Sequence, residues 1–194
     1  MSLHFPLRPS PRHDWQPMTN GEWAALAPLL AGSGRGRPPA DRRRTMDAIF
    51  WVACSRGPWR GLPAEFGPAD TAHRTLRRFA RSGLLDRLLI AVSRHPLAGD
   101  PALRPLEWRI ARAWRRAWRM LSGASLALAR RLGLDSALPA PPADWPRADL
   151  SEIIRRVSKI TIIPGQPPLP AGVRALRALF RLAIGRLDRF RTTG

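Results

Sequence analysis

WRGLPAEFGPADTAHRTLRRFARSG, residues 59–83, decides how this chain is read. LPAEF is long enough for one or two helical turns. Gly67 and Pro68 make a turn, Asp70 or Thr71 can cap a second helix reaching about Ser82, and Gly83 stops it. A short helix, a tight turn and a longer basic helix form a helix-turn-helix arrangement. On the second helix, Ala72, Leu76, Phe79 and Ala80 share the side that would pack inward, while His73, Arg74, Arg77, Arg78 and Arg81 share the outer side. Arg suits an outer face that meets DNA, because its planar fork can take guanine N7 and O6 together, or a phosphate. A solvated basic face on an ordinary core helix accounts for the same spacing equally well, since the motif is weak alone.

Upstream, Thr19 and Glu22 have capping-box spacing, and Trp23, Leu26, Leu29 and Leu30 fall on one helical face interrupted by Pro28. The loop AGSGRGRPPADRRR follows. Its GRGRPP segment, residues 34–39, has no apolar side chain to order it and suits an arm tracking phosphates, though a plain solvated linker fits too. Asp41 can cap a helix to about Arg56, the most apolar of the set, ended by Gly57 and Pro58. Trp59 reads as a core anchor, with Arg60 beside it at a corner within reach of phosphate. A further helix runs from Leu84 to Arg94. Five helices with short connections predict a compact all-α domain over residues 19–96, after a disordered leader at 1–18.

Residues 97–194 are less regular. They read as a basic, partly disordered helical extension with Pro-rich linkers. Leu103, Leu106, Ile110, Trp114, Ala117 and Leu121 make one helical face, and Arg109, Arg112, Arg115, Arg116 and Arg119 cover much of the rest. A helix from Leu150 to Val157 leads into KITIIPG, which could be a strand. Val173 to Phe190 is a final amphipathic basic helix. Three readings stay open here: a tail adding nonspecific DNA affinity or a partner surface, basic helices lying on an anionic membrane, and an out-of-frame or decayed extension.

Charge narrows the partners. The 194 residues hold 33 Lys and Arg against 14 Asp and Glu, a formal net charge of +19, with +8 in residues 1–96 and +11 in 97–194. Such a field favours polyanions. A GC-rich gene supplies Arg, Ala and Pro by default, which accounts for part of that excess but not for where each Arg sits. Cys54 stands alone and excludes an intrachain disulfide or a cysteine-cluster zinc site; its apolar run makes it a buried structural thiol. No apolar run spans a bilayer and no signal-peptide core is present, so a cytoplasmic, nucleoid-associated protein is expected. His4, His13, His73 and His95 lack metal-ligand spacing, no Ser has a His/Asp context, and no phosphate-binding loop with Lys occurs, so no metal or cofactor is expected.

GEWAALAPLL, then GRGRPPADRRRTMDAIFWVACSRGPWRGLPAEFG, then TLRRFARSGLLDRLL together resemble the N-terminal domain of transposases of insertion-sequence family five. Those domains show an "EW..L.PLL" opening, a "GRPP.D.R" loop, an "AI.W....G..WR.LP..FG" centre and an "R.F.RW...G" end. The likeness covers about residues 19–95, roughly 40% of the chain. It implies binding to double-stranded DNA at element ends. By position, that role falls on Arg35, Arg37, Arg42, Arg74, Arg77, Arg78 and Arg81. Asp70-Thr71-Ala72 departs from the family's Ser-Thr-bulky start, and Ala80-Arg81 stands where the family has an aromatic.

Full-length relatives continue into an RNase-H-like domain whose DDE carboxylates hold two metal ions. The acids after Pro96 are Asp100, Glu107, Asp135, Asp144, Asp149, Glu152 and Asp188, and none lies in the required strand-and-turn context. No catalytic residue is assigned and no enzyme is expected. A truncated or remnant transposase that binds DNA without catalysis is the first reading. An accessory module pairing with a separate catalytic transposase chain is the second, and a membrane-surface protein is the least favoured.

Overall fold

In the computed structural model the described residues are 10, 14–31, 40–94, 99–140, 144–161 and 170–184. They contain eight α-helices and no strand: α1 (Asn20–Leu30), α2 (Arg42–Ser55), α3 (Ala69–Arg81), α4 (Leu84–Ala91), α5 (Glu107–Ala117), α6 (Gly123–Arg131), α7 (Leu150–Thr161) and α8 (Pro170–Ile184). The all-α class expected from the sequence holds. The chain divides into two compact units, one spanning Ser10–Met120 and one built from Leu121 onward.

In the first unit α2 is the central element. Met46, Ala48, Ile49, Phe50, Val52 and Ala53 are all buried along it, and it lies against α3 and α5. Asp41 caps it, its Oδ1 accepting from the Arg44 backbone N–H at 2.8 Å. The left-handed residue that ends α2 is Arg56 (φ 59°), one position before the Gly57 stop that the sequence suggests. The capping box of α1 is present in both directions. Glu22 N–H donates to Thr19 Oγ1 at 3.2 Å, and Thr19 N–H donates to Glu22 Oε2 at 2.8 Å. Pro28 lies in the last turn of α1, and the helix ends at Leu30.

Two expectations change here. Residues near the end of the presumed leader are packed: Met18 is buried, its N–H donates to Asp47 Oδ1 at 3.0 Å, and Trp15 meets Phe66 edge to face at 5.3 Å. The unit also extends past Pro96. A 3-10 turn, Pro101–Leu106, runs into α5, which packs on α2 and α4. The apolar face read from the sequence is the buried one, with Leu103, Leu106, Ile110, Trp114 and Ala117 essentially inaccessible.

The Arg residues expected to coat the rest of α5 partly turn inward. Arg112 Nε donates to the Ala53 carbonyl at 3.2 Å, and Arg116 Nη2 donates to the Gly57 carbonyl at 2.9 Å. Arg109 pairs with Glu22 at 3.1 Å, with both side chains nearly inaccessible. Trp114 Nε1 donates to Asp86 Oδ1 at 2.9 Å. Charged side chains are stable inside only when paired and hydrogen-bonded; Arg112 meets a free carbonyl in the last turn of α2, and Arg116 one just beyond the helix end.

The second unit packs α6, α7 and α8 on one another. Its core includes Leu126, Ile154, Leu176, Phe180 and Ala183, with Trp145 against Phe180 at 5.9 Å. Lys159, Ile160 and Thr161, expected to begin a strand, are the last turn of α7. The rest of KITIIPG lies outside the described residues. Arg130 Nη2 donates to Ser151 Oγ at 2.7 Å inside this unit.

Candidate nucleic-acid interface

The site is built around the entry to α3. Trp59–Gly61 and Ala64–Phe66 are single 3-10 turns, shorter than the helix that LPAEF suggests. Phe66 is held between Trp15 and Trp51, the latter at 6.4 Å. Arg44 fastens the same turn from α2, donating from Nε to the Glu65 carbonyl and from Nη2 to the Ala64 carbonyl at 3.3 Å. Gly67 follows with φ 79° and ψ −168°, a region that essentially only glycine occupies. Pro68, in extended conformation, then leads into α3.

No side chain caps α3. The sequence offers Asp70 or Thr71 for that task, but the helix begins earlier, at Ala69, and Thr71 N–H donates to the Pro68 carbonyl at 3.0 Å. Asp70 instead lies within the first turn, where its charge favours the helix dipole. It pairs with Arg74 across one turn at 2.9 Å, with both side chains 69% exposed.

The two faces of α3 separate as the spacing implies, with Ala72, Thr75, Leu76 and Phe79 buried. Arg74, Arg77 and Arg81 are exposed. Arg78 and His73 are only half-buried companions of that face. Arg78 Nε is enclosed without a hydrogen-bond partner, so its stem is part of the packing. His73 lies against Trp59, ring centres 5.1 Å apart. Trp59 is covered in turn by the Arg116 guanidinium at 5.7 Å from its ring centre. Arg116 is held there by the Gly57 carbonyl, and burial lowers its pKa.

The other sequence-proposed residues are dispersed. Arg42 and Arg60 are exposed, on the first turn of α2 and on the Trp59–Gly61 turn. Arg35 and Arg37 lie outside the described residues. The RRR run at 42–44 splits by role: Arg42 is open, Arg43 Nη1 donates to Asn20 Oδ1 at 2.7 Å, and Arg44 holds the turn. Sequence reading missed Arg116 as a support for this corner. The signal for it was the Arg spacing on the apolar helix, which alone does not say which arginines face inward.

Burial pushes the Cys54 thiol up to about 11, away from a nucleophilic thiolate at neutral pH. Burial likewise brings Arg112 down to about 10 and raises the Asp47 carboxyl. Among the described residues no group of three or more His, Cys, Asp or Glu could hold a metal ion. No described helix is long and apolar enough to cross a membrane.

Residues 18–89 match the family described as "Putative transposase of IS4/5 family". An uncharacterized protein, y4sN, from Sinorhizobium fredii (strain NBRC 101917 / NGR234) is 29% identical over 83 residues, a match covering 42% of this chain and 66% of that one. The chain thus spans just under two thirds of that relative's length. No solved structure matches. The similarity falls on α1 to α4 and the turns between them, the segment that carries the exposed arginines of α3.

Proposed function

We propose that the first unit binds double-stranded DNA with the outer face of α3 in the major groove, as the second helix of a helix-turn-helix. The chain then acts as a transposase-like protein that recognises the ends of an insertion element, with no catalytic step of its own. The observation that carries this reading is the division of α3: one side sealed by Ala72, Leu76 and Phe79, the other presenting Arg74, Arg77 and Arg81. Likeness to the IS4/5 transposase type over residues 18–89 supports the same partner. Arg77 and Arg81 read base edges or adjacent phosphates, and Arg74 joins them once it leaves Asp70. His73 and Arg78 flank them from the half-buried edge. Arg42, Arg60 and the Arg35/Arg37 loop follow the backbone.

Fluorescence anisotropy with a labelled duplex carrying an insertion-element terminal repeat, against an unrelated duplex, tests this. A good bidentate contact discriminates by roughly 1–3 kcal/mol. Arg77→Ala with Arg81→Ala should therefore weaken binding to the repeat at least about tenfold and shrink the preference over unrelated DNA. Unchanged binding would remove α3 from the interface.

A further inference from the structure

The sequence presents two basic amphipathic helices outside the matched segment, and they look alike on paper. The structure separates them. On α5 three of the arginines turn into the unit: Arg109, Arg112 and Arg116 bond to Glu22, the Ala53 carbonyl and the Gly57 carbonyl. On α8 the arrangement is reversed. Leu176, Phe180, Ala183 and Ile184 are buried in the second unit's own core. Arg174, Arg177 and Arg181 are exposed, with Ala171, Ala175 and Ala178 exposed among them. None of the three arginines is engaged by a carboxylate among the described residues. Two acids of the unit are already occupied: Asp149 by Arg147 at 2.8 Å, and Glu152 by Arg155 and Arg156. No acidic residue occurs anywhere on α8.

We infer that the outer face of α8 is a second, sequence-independent contact for the phosphate backbone of duplex DNA. Positions 174, 177 and 181 stand on one face over a rise of about 10 Å. Over such a length a duplex, with one charge per roughly 1.7 Å of its axis, presents several phosphates. Alanines between the arginines leave room for a backbone to come close. An anionic membrane is the competing polyanion. It requires a free apolar face to sink into the acyl boundary, and on α8 that face is occupied by the unit's own core. Leu182 is the large apolar side chain left open on this helix. Covalent connection to the first unit raises the local concentration of this contact once α3 is bound, whatever the arrangement of the two units.

The inference takes from the preceding proposal that duplex DNA is the partner; the α8 contact itself does not depend on α3, whose binding would only raise its local concentration. Its test is the salt dependence of binding by the full chain on the terminal-repeat and unrelated duplexes. Each phosphate neutralised contributes about 0.9 to the slope of log K against log salt. A chain with Arg174→Gln, Arg177→Gln and Arg181→Gln should show a slope shallower by about 2–3 on both duplexes, with the ratio of the two affinities unchanged. The corresponding Arg→Lys triple variant should keep most of the slope, because a phosphate accepts either cation. Helicity measured alongside checks folding; if the triple variant has lost helix, Arg177→Gln alone should still lower the slope by about 0.9. An unchanged slope overturns the inference. So does a collapse of the affinity ratio, which would mean that α8 reads bases. Loss of binding to phosphatidylserine-containing vesicles with DNA binding intact overturns it in favour of a membrane. If Arg77→Ala with Arg81→Ala leaves the ratio untouched while the α8 variants flatten the slope, the α3 reading fails and this one stands.

Discussion

At the scale of single residues, arginine does two opposite jobs, and burial decides which. Arg112 is an interior donor beneath the end of α2, with its guanidinium 5.5 Å from the Trp108 ring centre. Arg77 is exposed on α3. Arg112→Ala should cost about 1–3 kcal/mol of stability, the range for a buried polar group that loses its partner. It should leave DNA affinity unchanged below the melting temperature. Lys should not rescue it, since a lone ammonium cannot reproduce the planar fork. Thermal melting paired with anisotropy separates the cases; weaker DNA binding with normal melting would place Arg112 at the surface. Asp70 provides the converse test. It holds Arg74 in an exposed pair of the kind worth about 0.2–1 kcal/mol. Asp70→Asn should release Arg74 and raise DNA affinity about two- to fivefold, most visibly at low salt.

Titration belongs at this scale too. The hydrogen bond from Arg155 holds the Glu152 carboxyl at about 2, against an ordinary 4.5, with Arg156 adding to the effect. A carboxylate depressed in the folded state contributes stability above its unfolded pKa and loses it as pH falls through the folded value. Glu152→Gln should therefore differ from the natural chain above pH 4.5 and converge with it towards pH 2, in urea midpoints followed by helicity. The difference should be small, because the Glu152 side chain is 44% exposed and solvent screens the pair. A gap persisting at pH 2 would mean that Glu152 acts through packing instead.

At the scale of elements, the turn before α3 is the sensitive joint. Gly67 adopts a backbone region that costs other residues about 1–3 kcal/mol. Gly67→Ala should lower the melting temperature by several degrees and weaken DNA binding together, because α3 loses its entry angle. In the second unit, a Cβ on Gly172 would come within 2.5 Å of both branches of the Thr161 side chain. No rotation of Thr161 removes both contacts, so Gly172→Ala should force α7 and α8 apart at an overpacking cost of about 1–3 kcal/mol. Melting of the second unit should register it while α3 binding persists.

Much of this was legible before the structure. The Thr19–Glu22 box, the Asp41 cap, the centrality of α2 and the division of α3 follow from local rules that need only spacing. What failed to show was non-local. Nothing in the order of residues says that Arg109 meets Glu22, eighty-seven positions away, or that Arg116 covers Trp59. The last turn of α7, Lys159–Thr161, was misread because β-branched Ile160 and Thr161 have strand propensity, which a helical core can override. The start of α3 was misplaced because Asp70 and Thr71 looked like caps, while the helix begins at Ala69, directly after the Gly67–Pro68 turn.

At the scale of the whole molecule, the first unit is larger than the segment that resembles transposases. The matched residues end at 89, whereas the unit continues to Met120. Residues 10–120 should therefore unfold cooperatively as a separate protein with a sharp thermal transition. A chain ending at Pro96 should not, because it leaves the α5-facing side of α2 and the Asp86 carboxylate uncovered. A cooperative transition in the shorter chain would show α5 to be dispensable.

The position of α5 also has a consequence in time. The chain emerges from its N-terminus, so α1 to α4 are complete before the helix that closes over α2 exists. The stretch from Ala91 to Ala117 takes roughly one to five seconds to synthesise at about 5–20 residues per second. During that interval α2 waits with one apolar side open. The closing contacts join residues 59 and 87 positions apart, so they form late and slowly. The nascent chain thus displays its arginine-bearing α3 on an unfinished core until α5 arrives.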